Sequence, residues 1–150
     1  MRSDSLNLIQ WIYFATRPFS LDELRWAMIV DADCPHKSLQ QCQNAEDYTY
    51  DNEMMGWRVK ALSCGLAETV TSSTIRVVQF IHQSVKDFVE KGLSDLDAAS
   101  QSANSVIGRA HYRLSRSCIR YLAMGEIAQS VTINWQGLTL GSSSSSSTGW

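Results

Sequence analysis

The chain has 150 residues, of which 44% are hydrophobic, and its formal net charge is −2 with histidine neutral. This length fits one domain with a real core, and the near-balanced charge excludes both a strong overall positive field and an acidic disordered tail. No apolar run approaches the length that spans a bilayer, and no cleavage site of small residues follows residues 6–14. We therefore expect a soluble, non-secreted chain of the cytoplasm with no membrane partner.

Two helices are predicted at the start of the chain. Apolar residues cover more than one side of residues 6–15, which indicates a well-buried helix. A break around Pro18 follows it. Ser20 and Glu23 then form the pattern of a capping box, in which a hydroxyl and a carboxylate satisfy free N–H groups at a helix start. The second helix is predicted to end near Val30.

A third helix is predicted after a long polar segment. Residues 31–52 are rich in Asp, Gln and Asn, which indicates a long irregular connection between helices. This connection, called here the excursion, contains at most a short helix around residues 38–43. The spacing of apolar side chains that is typical of a helix resumes at residues 53–63. Gly65 stands where a left-handed residue is expected to end this helix.

Two strands are predicted next, at residues 66–70 and 75–81. The polar residues 71–74 between them suit the turn of a β-hairpin. Three helices followed by a hairpin form the arrangement of a winged-helix domain, a variant of the helix-turn-helix plan. The expected fold class is therefore mainly α (α+β), with a three-helix core, a hairpin and additional helices.

The pattern changes from strand to helix within residues 75–89, where no Pro or Gly separates the two halves. Ser84, with Asp87 three residues later, resembles an N-cap and first turn. His82 therefore lies at the corner between strand and helix. A histidine at such a corner can reach a phosphate or a neighbouring domain, or it can hold the corner with a backbone hydrogen bond.

The cysteines are irregularly spaced at positions 34, 42, 64 and 118, which predicts reduced thiols rather than a disulfide scaffold. Cys34, His36 and Cys42 place three possible zinc ligands close together. No paired ligand spacing completes a zinc site. A nucleophilic Cys–His pair would also need a third, orienting group that the sequence does not indicate. We expect neither a metal nor a cofactor of its own, and no enzymatic activity.

The last strong helix is predicted at residues 109–124, and its arginines recur at i, i+4, i+7 and i+11 on one face. This basic stripe consists of Arg109, Arg113, Arg116 and Arg120. It can be a solvated face, or it can pair with the nearby acids Glu90, Asp95 and Asp97. The alternative is that the stripe docks to an acidic surface of a partner.

Four segments follow from these patterns: a winged-helix domain at 1–90, a linker at 91–108, a C-terminal helix at 109–124 that packs on or extends the domain, and a flexible Ser-rich tail at 125–150. The apolar faces of the predicted elements define the expected core. Its members are Ile9, Leu24, Met28, Val59, Leu62, Val78, Phe80 and Phe88.

A winged helix suggests nucleic acid as a partner. In that case the third helix would be the recognition helix and would carry side chains that bind phosphates and bases. Its cations are Arg58 and Lys60, with Glu53 on the same helix, and the hairpin adds Arg76. Nucleic-acid binding relies on several phosphate contacts and on polar side chains that reach base edges. The sequence therefore makes nucleic acid an unlikely partner, and we keep it as the alternative.

Several stretches resemble a known family. Residues 20–27, residues 58–66 and the run Phe-Ile-His-Gln-Ser-Val-Lys-Asp-Phe at 80–88 look like the winged-helix region that follows the NACHT nucleotide-binding domain in fungal NOD-like proteins. The final helix, through residues 118–122, is similar too, and the resemblance covers about residues 5–128. The same type of winged helix occurs in GPI inositol-deacylase-like proteins.

This resemblance implies a role for His82. In the wider class of signal-transducing NTPases, a Met-His-Asp motif lies at the corresponding corner, and its histidine contacts bound ADP. Ile81-His82-Gln83 occupies that place here, so the histidine matches and its two neighbours differ. The resemblance therefore implies that His82 can sense a nucleotide that a neighbouring domain holds.

The nucleotide-binding machinery itself is missing from the sequence, which contains no G-x-x-x-x-G-K-[ST] stretch. The resemblance then implies a separated or truncated piece of a larger signal-transducing NTPase. We expect a non-enzymatic regulatory module whose partner is a NACHT domain in a parent or neighbouring chain.

Overall fold

The computed structural model describes residues 2–31, 33–99 and 105–140, and the side chains within residues 4–31, 33–99 and 105–134. These residues form seven helices and three strands. Their bounds are α1 Arg2–Phe14, β1 Phe19–Ser20, α2 Leu21–Ile29, α3 Leu39–Gln43, α4 Asn52–Leu62, β2 Ala67–Ser72, β3 Ile75–Phe80, α5 Gln83–Ala99, α6 Val106–Leu122 and α7 Gly125–Leu140. The architecture is mainly helical with one small antiparallel sheet, which confirms the α+β class. None of the described helices is long and apolar enough to cross a membrane.

The sheet has the order β1-β3-β2, and each neighbouring pair is antiparallel. The hairpin of β2 and β3 is confirmed, with Ala67 opposite Phe80 and Ser72 opposite Ile75. Its predicted four-residue turn at 71–74 is wrong, because Thr71 and Ser72 pair with β3 and leave a turn of two residues, 73–74. The two-residue strand β1 pairs Phe19 with Val78 on the other edge of β3. The sequence did not predict β1, because two residues are too few to show an alternating pattern.

Local signals at the helix ends are confirmed. The Ser20 hydroxyl accepts a hydrogen bond from the Glu23 backbone N–H at 3.2 Å, and the Glu23 carboxylate accepts one from the Ser20 N–H at 2.9 Å. This reciprocal capping box starts α2. Gly65 has φ 80° after α4, in the left-handed region that favours glycine, and its N–H donates to the Lys60 carbonyl at 2.9 Å.

The main hydrophobic core, called here the first cluster, lies between α1, α2, α4, the sheet and α6. Its buried members are Leu8, Trp11, Leu21, Leu24, Met55, Val59, Ala67, Val78 and Leu114. Of the residues expected in the core, Leu24, Val59 and Val78 are buried in it. Partly buried members of the expected set pack against the cluster, and they are Met28, Leu62 and Phe80. Ile9 is half-buried.

The assignment of Phe88 to the core is wrong, because its side chain is 71% exposed. The buried positions of α5 are Val85 and Leu93. Together with the half-buried Val89 they follow an i, i+4, i+8 row along the helix. Phe88 is three residues beyond Val85 and therefore lies to one side of that row.

A second cluster joins the polar excursion to the end of the chain. Its buried members are Val30, Cys34, Cys42 and Met124, and half-buried side chains such as Tyr121 surround them. The short helix α3, which the sequence predicted, supplies Cys42. The second cluster therefore fastens the excursion to the turn between α6 and α7.

The C-terminal segments differ from their prediction. Helix α5 continues to Ala99 instead of giving way to a linker at 91, and residues 125–140 form α7 instead of a flexible tail. Glycine within a helix costs only about 1 kcal/mol, so Gly92 and Gly125 do not prevent helix formation. Residues 141–150 of the predicted tail lie outside the described residues.

The capping box leads to a prediction about acid stability. The Arg17 guanidinium lies 2.5 Å from the Glu23 carboxylate, and with the Ser20 N–H it lowers the pKa of Glu23 to about 2. A carboxyl whose pKa is lower in the folded state stabilises the fold fully above its ordinary value of 4.5 and loses that effect as pH falls towards 2. We expect Glu23→Gln to lower the free energy of unfolding by about 0.5–1 kcal/mol at neutral pH.

Urea unfolding at several pH values measures this effect. The difference between Glu23→Gln and the parent is expected to shrink between pH 4.5 and 2, because the parent's carboxylate becomes protonated there. Glu68→Gln is the matched control, since Glu68 lies exposed on β2. A difference that stays constant with pH would contradict the proposed contribution of the Glu23 charge.

Candidate functional site

His82 is exposed at the corner between β3 and α5, as the sequence predicted. Its Nδ1 accepts a hydrogen bond from the Ser84 backbone N–H at 3.1 Å and lies 2.9 Å from the Ser84 hydroxyl. The His82 carbonyl accepts from the Val85 N–H at 3.1 Å. His82 therefore caps α5, and the assignment of that role to Ser84 is wrong.

The cap determines which ring nitrogen of His82 is left to act on a ligand. Because Nδ1 accepts from a backbone N–H, the proton of the neutral ring is on Nε2. The same contact fixes the ring against the first turn of α5. The structure thus provides the backbone-tying role that the sequence allowed, and it leaves one imidazole donor free of that role.

His82 lines a cleft of about 430 Å³ between the α1–β1 connection and the β3–α5 corner. Lys86 lies one helical turn after His82 and lines the same cleft, together with Gln79 and Gln83. Arg17 lies at the opposite wall, where Glu23 neutralises it. The side-chain donors of His82 and Lys86 give this cleft the chemistry to hold one anionic group.

Three arginines of the basic stripe on α6 bind residues of the same chain. Arg113 lies 3.4 Å from both carboxylate oxygens of Asp31, and Arg116 lies 3.9 Å from Asp33. The Arg120 guanidinium donates to the Cys34 carbonyl. The stripe therefore fastens residues 31–34 to α6.

The predicted pairing of the stripe with nearby acids is wrong in its partners. The partners of Arg113, Arg116 and Arg120 come from the start of the excursion and not from the nearby acids Glu90, Asp95 and Asp97. The Asp97 carboxylate instead accepts from the Val106 N–H at the start of α6. Arg109 alone of the stripe is exposed without an ion pair among the described residues. Docking of the four arginines to an acidic partner surface stays a prediction.

Cys34 and Cys42, which the sequence offered as possible zinc ligands, pack against apolar side chains. Cys34 and Cys42 are buried in the second cluster, whereas Cys64 and Cys118 are exposed. Burial raises the pKa of the Cys42 thiol to about 12, and the neighbouring Cys34 adds to the shift. A thiol in such surroundings stays protonated and behaves as a small apolar group. Within the described ranges, no three His, Cys, Asp or Glu side chains are arranged to hold a metal ion.

The structure also contains a feature that the sequence did not indicate. An apolar groove of about 400 Å³ lies between α6 and the pair α1 and α2. Aromatic side chains from several elements line it, including Trp11, Phe19, Trp26 and Tyr121. The high tryptophan content of the helices was the one available signal, and it does not show which rings meet.

Comparison with known proteins gives no match to a family model, to a curated protein or to a solved structure. The resemblance to a NACHT-associated winged helix therefore stays a prediction.

Proposed function

We propose that this chain is a non-enzymatic regulatory module of the cytoplasm that packs against a NACHT nucleotide-binding domain. In this proposal His82 donates to a phosphate oxygen of the nucleotide that the partner holds. The observation that carries it is the exposed His82 in a cleft with Lys86, with its Nδ1 used by the helix cap. The chain itself then needs no nucleotide machinery.

The element order supports a winged-helix plan for this module. Helix, strand, two or more helices and a hairpin follow one another, and the first strand joins the sheet at the edge of β3. In that plan the corner after β3 corresponds to the place where the wider class of signal-transducing NTPases has its nucleotide-contacting histidine. Position and chemistry of His82 therefore agree with the proposed role.

The surface beside the cleft supports a protein partner. Ile81 lines the cleft and is 48% exposed, and Phe88, on the second turn of α5, is 71% exposed. Contiguous exposed apolar surface around polar groups is typical of sites that a partner covers. A neighbouring domain that brings a phosphate to His82 would bury Ile81 in the cleft wall.

Nucleic acid is the less supported partner. On the helix that would read bases, Arg58 donates to the Asp47 carbonyl at 2.7 Å, and the hairpin cation Arg76 pairs with Glu53 at 2.6 Å. Lys60 on the same helix is exposed, but one such cation is fewer than the several phosphate contacts on which nucleic-acid binding relies. A gel shift with random duplex DNA tests this alternative, because binding that weakens steeply with salt would favour it over the regulatory module.

The structure decides which His82 variant tests the proposal. His82→Ala removes the cap of α5 and is expected to cost about 0.5–2 kcal/mol of stability. A loss of function in this variant would therefore have two possible causes, the lost donor and the weakened fold. His82→Asn keeps a capping acceptor and removes the imidazole donor. We expect His82→Asn to melt within a degree or so of the parent, because asparagine is among the best N-cap residues.

The functional measurement uses the chain co-expressed with a NACHT nucleotide-binding domain. We expect His82→Asn to weaken ADP retention by about 10- to 100-fold, the loss of one charge-assisted hydrogen bond. His36→Asn is the matched control, since His36 lies outside the cleft. Equal ADP retention by the parent and His82→Asn, or no complex with the domain, would refute the proposal.

A further inference from the structure

Two of the four cysteines meet in the second cluster. Cys34 is 7% exposed and Cys42 has no exposed surface, and both are among the buried members of this cluster. Burial raises the pKa of the Cys42 thiol, and the charge and the hydrogen bond of the neighbouring Cys34 thiol add to the shift. The two sulfurs are therefore direct neighbours, whereas Cys64 and Cys118 are exposed elsewhere.

The segment between these two cysteines holds the turn between α6 and α7. At its first residue the Cys34 carbonyl accepts from the Arg120 guanidinium. Further along, the Lys37 carbonyl accepts from the Gly125 N–H at 3.4 Å, and the Glu126 carboxylate accepts from two N–H groups at the start of α3. Residues 34–42, called here the thiol loop, thus carry the contacts that fasten the start of α7.

We propose that Cys34 and Cys42 form a reversible disulfide under oxidising conditions, and that this bond strengthens the hold of the thiol loop on α7. The cysteines are the two ends of the loop, so a bond between them closes it into a ring and restricts the backbone that bears the contacts to α6 and α7. This modification site is independent of the cleft at His82 and of the regulatory function proposed above.

Hydrogen peroxide is a sufficient oxidant for this reaction. Cys34 keeps some exposed surface, so its sulfur is the one that a small oxidant reaches. Its thiolate attacks the O–O bond, becomes a sulfenic acid and releases hydroxide, which takes up a proton to give water. The Cys42 thiol then loses its proton, and its sulfur attacks the Cys34 sulfur and releases the second water. Together the two thiols lose two protons and two electrons, and the peroxide is reduced to two waters.

The second step is expected to be slow. A thiolate is the nucleophile in this step, and the raised pKa of Cys42 keeps its thiol protonated near neutral pH. The pair should therefore respond to sustained oxidation rather than to a brief pulse of peroxide. In a reducing compartment both thiols stay free, as the spacing of the cysteines predicts.

The variant Cys64→Ser with Cys118→Ser tests the bond, because it leaves only the pair in the second cluster. The folded variant is treated with hydrogen peroxide and digested with trypsin without reduction. Trypsin cuts after Lys37, between the two cysteines, so a disulfide joins peptides 26–37 and 38–58 in one mass peak. We expect this cross-linked peak to appear and to be lost after treatment with dithiothreitol.

Two further measurements on the same variant test the effect on α7. The oxidised form should melt about 5 °C higher than the reduced form, because the closed ring limits the unfolded chain and joins sulfurs that already meet. Amide hydrogen exchange at residues 125–130 should also become slower on oxidation. The reduced form is a control of identical sequence, so neither result depends on whether a substituted core folds.

Two controls and three outcomes decide the proposal. Adding Cys34→Ala to the variant should abolish both the cross-link and the shift in melting temperature, and a chain with Cys34→Ala and Cys42→Ala should form only intermolecular disulfides through its exposed thiols. Oxidation of Cys34 to a sulfinic acid without a cross-link, or a cross-link that forms only in urea, would overturn the pair. A cross-link that leaves both the melt and the exchange of residues 125–130 unchanged would overturn its effect on α7.

Discussion

Leu24→Ala is expected to lower the free energy of unfolding by about 3–5 kcal/mol, the range for truncating a fully buried leucine. Leu24 has no exposed surface and lies in the first cluster, to which α1, α4 and the sheet also contribute. The substitution removes apolar contacts and leaves a cavity that three neighbouring elements cannot all close. Urea unfolding followed by far-UV circular dichroism measures the change.

The matched control is Leu96→Ala, because Leu96 is 57% exposed on α5. The same chemical change there is expected to cost less than about 1 kcal/mol. Similar losses in the two variants would show that the first cluster does not centre on α2. A change of slope without a change of midpoint would instead indicate an altered unfolded state.

Met124→Ala is expected to cost about 2–4 kcal/mol, because Met124 is 2% exposed in the second cluster. This residue connects the turn after α6 to Cys34 and Cys42 of the excursion. The effect should appear in global unfolding, since the second cluster also includes Val30 at the end of α2. Thermal melts and urea titrations of the variant and the parent test the expectation.

Two controls separate the second cluster from other effects of residue 124. Met54→Ala changes a methionine that is 61% exposed on α4, and it should cost less than about 1 kcal/mol. Truncation after residue 130 should also leave the melt nearly unchanged, because Val131 and Ile133 are exposed on α7. If Met124→Ala and the parent unfold at the same temperature, the excursion is not part of the unit that unfolds cooperatively.

The carboxylate of Glu126 gives α7 a specific role beside Met124. It accepts hydrogen bonds from the Leu39 N–H at 3.0 Å and the Gln40 N–H at 3.3 Å. Backbone N–H groups of Glu126 itself, Leu39 and Gln40 lower the pKa of this carboxyl. The first turn of α7 thus accepts hydrogen bonds from two N–H groups at the start of α3, which connects the two helices.

The sequence by itself determined the elements whose signals are local. The capping box of Ser20 and Glu23, the left-handed Gly65 and the hairpin after it all depend on residues within a few positions of one another. Helical period likewise predicted α1, α2, α4 and α6, because one turn of chain determines which side chains share a face. The corner at His82 follows from the same kind of signal.

Only the tertiary structure decided which distant groups meet. Arg113 and Asp31 are 82 residues apart, and Leu39 and Glu126 are 87 apart, so no periodicity relates them. The partners of the basic stripe, the second cluster, strand β1 and the aromatic groove all depend on such long-range packing. Phe88 shows the same dependence, because helical period places apolar residues on a face but does not determine which part of that face a neighbour covers.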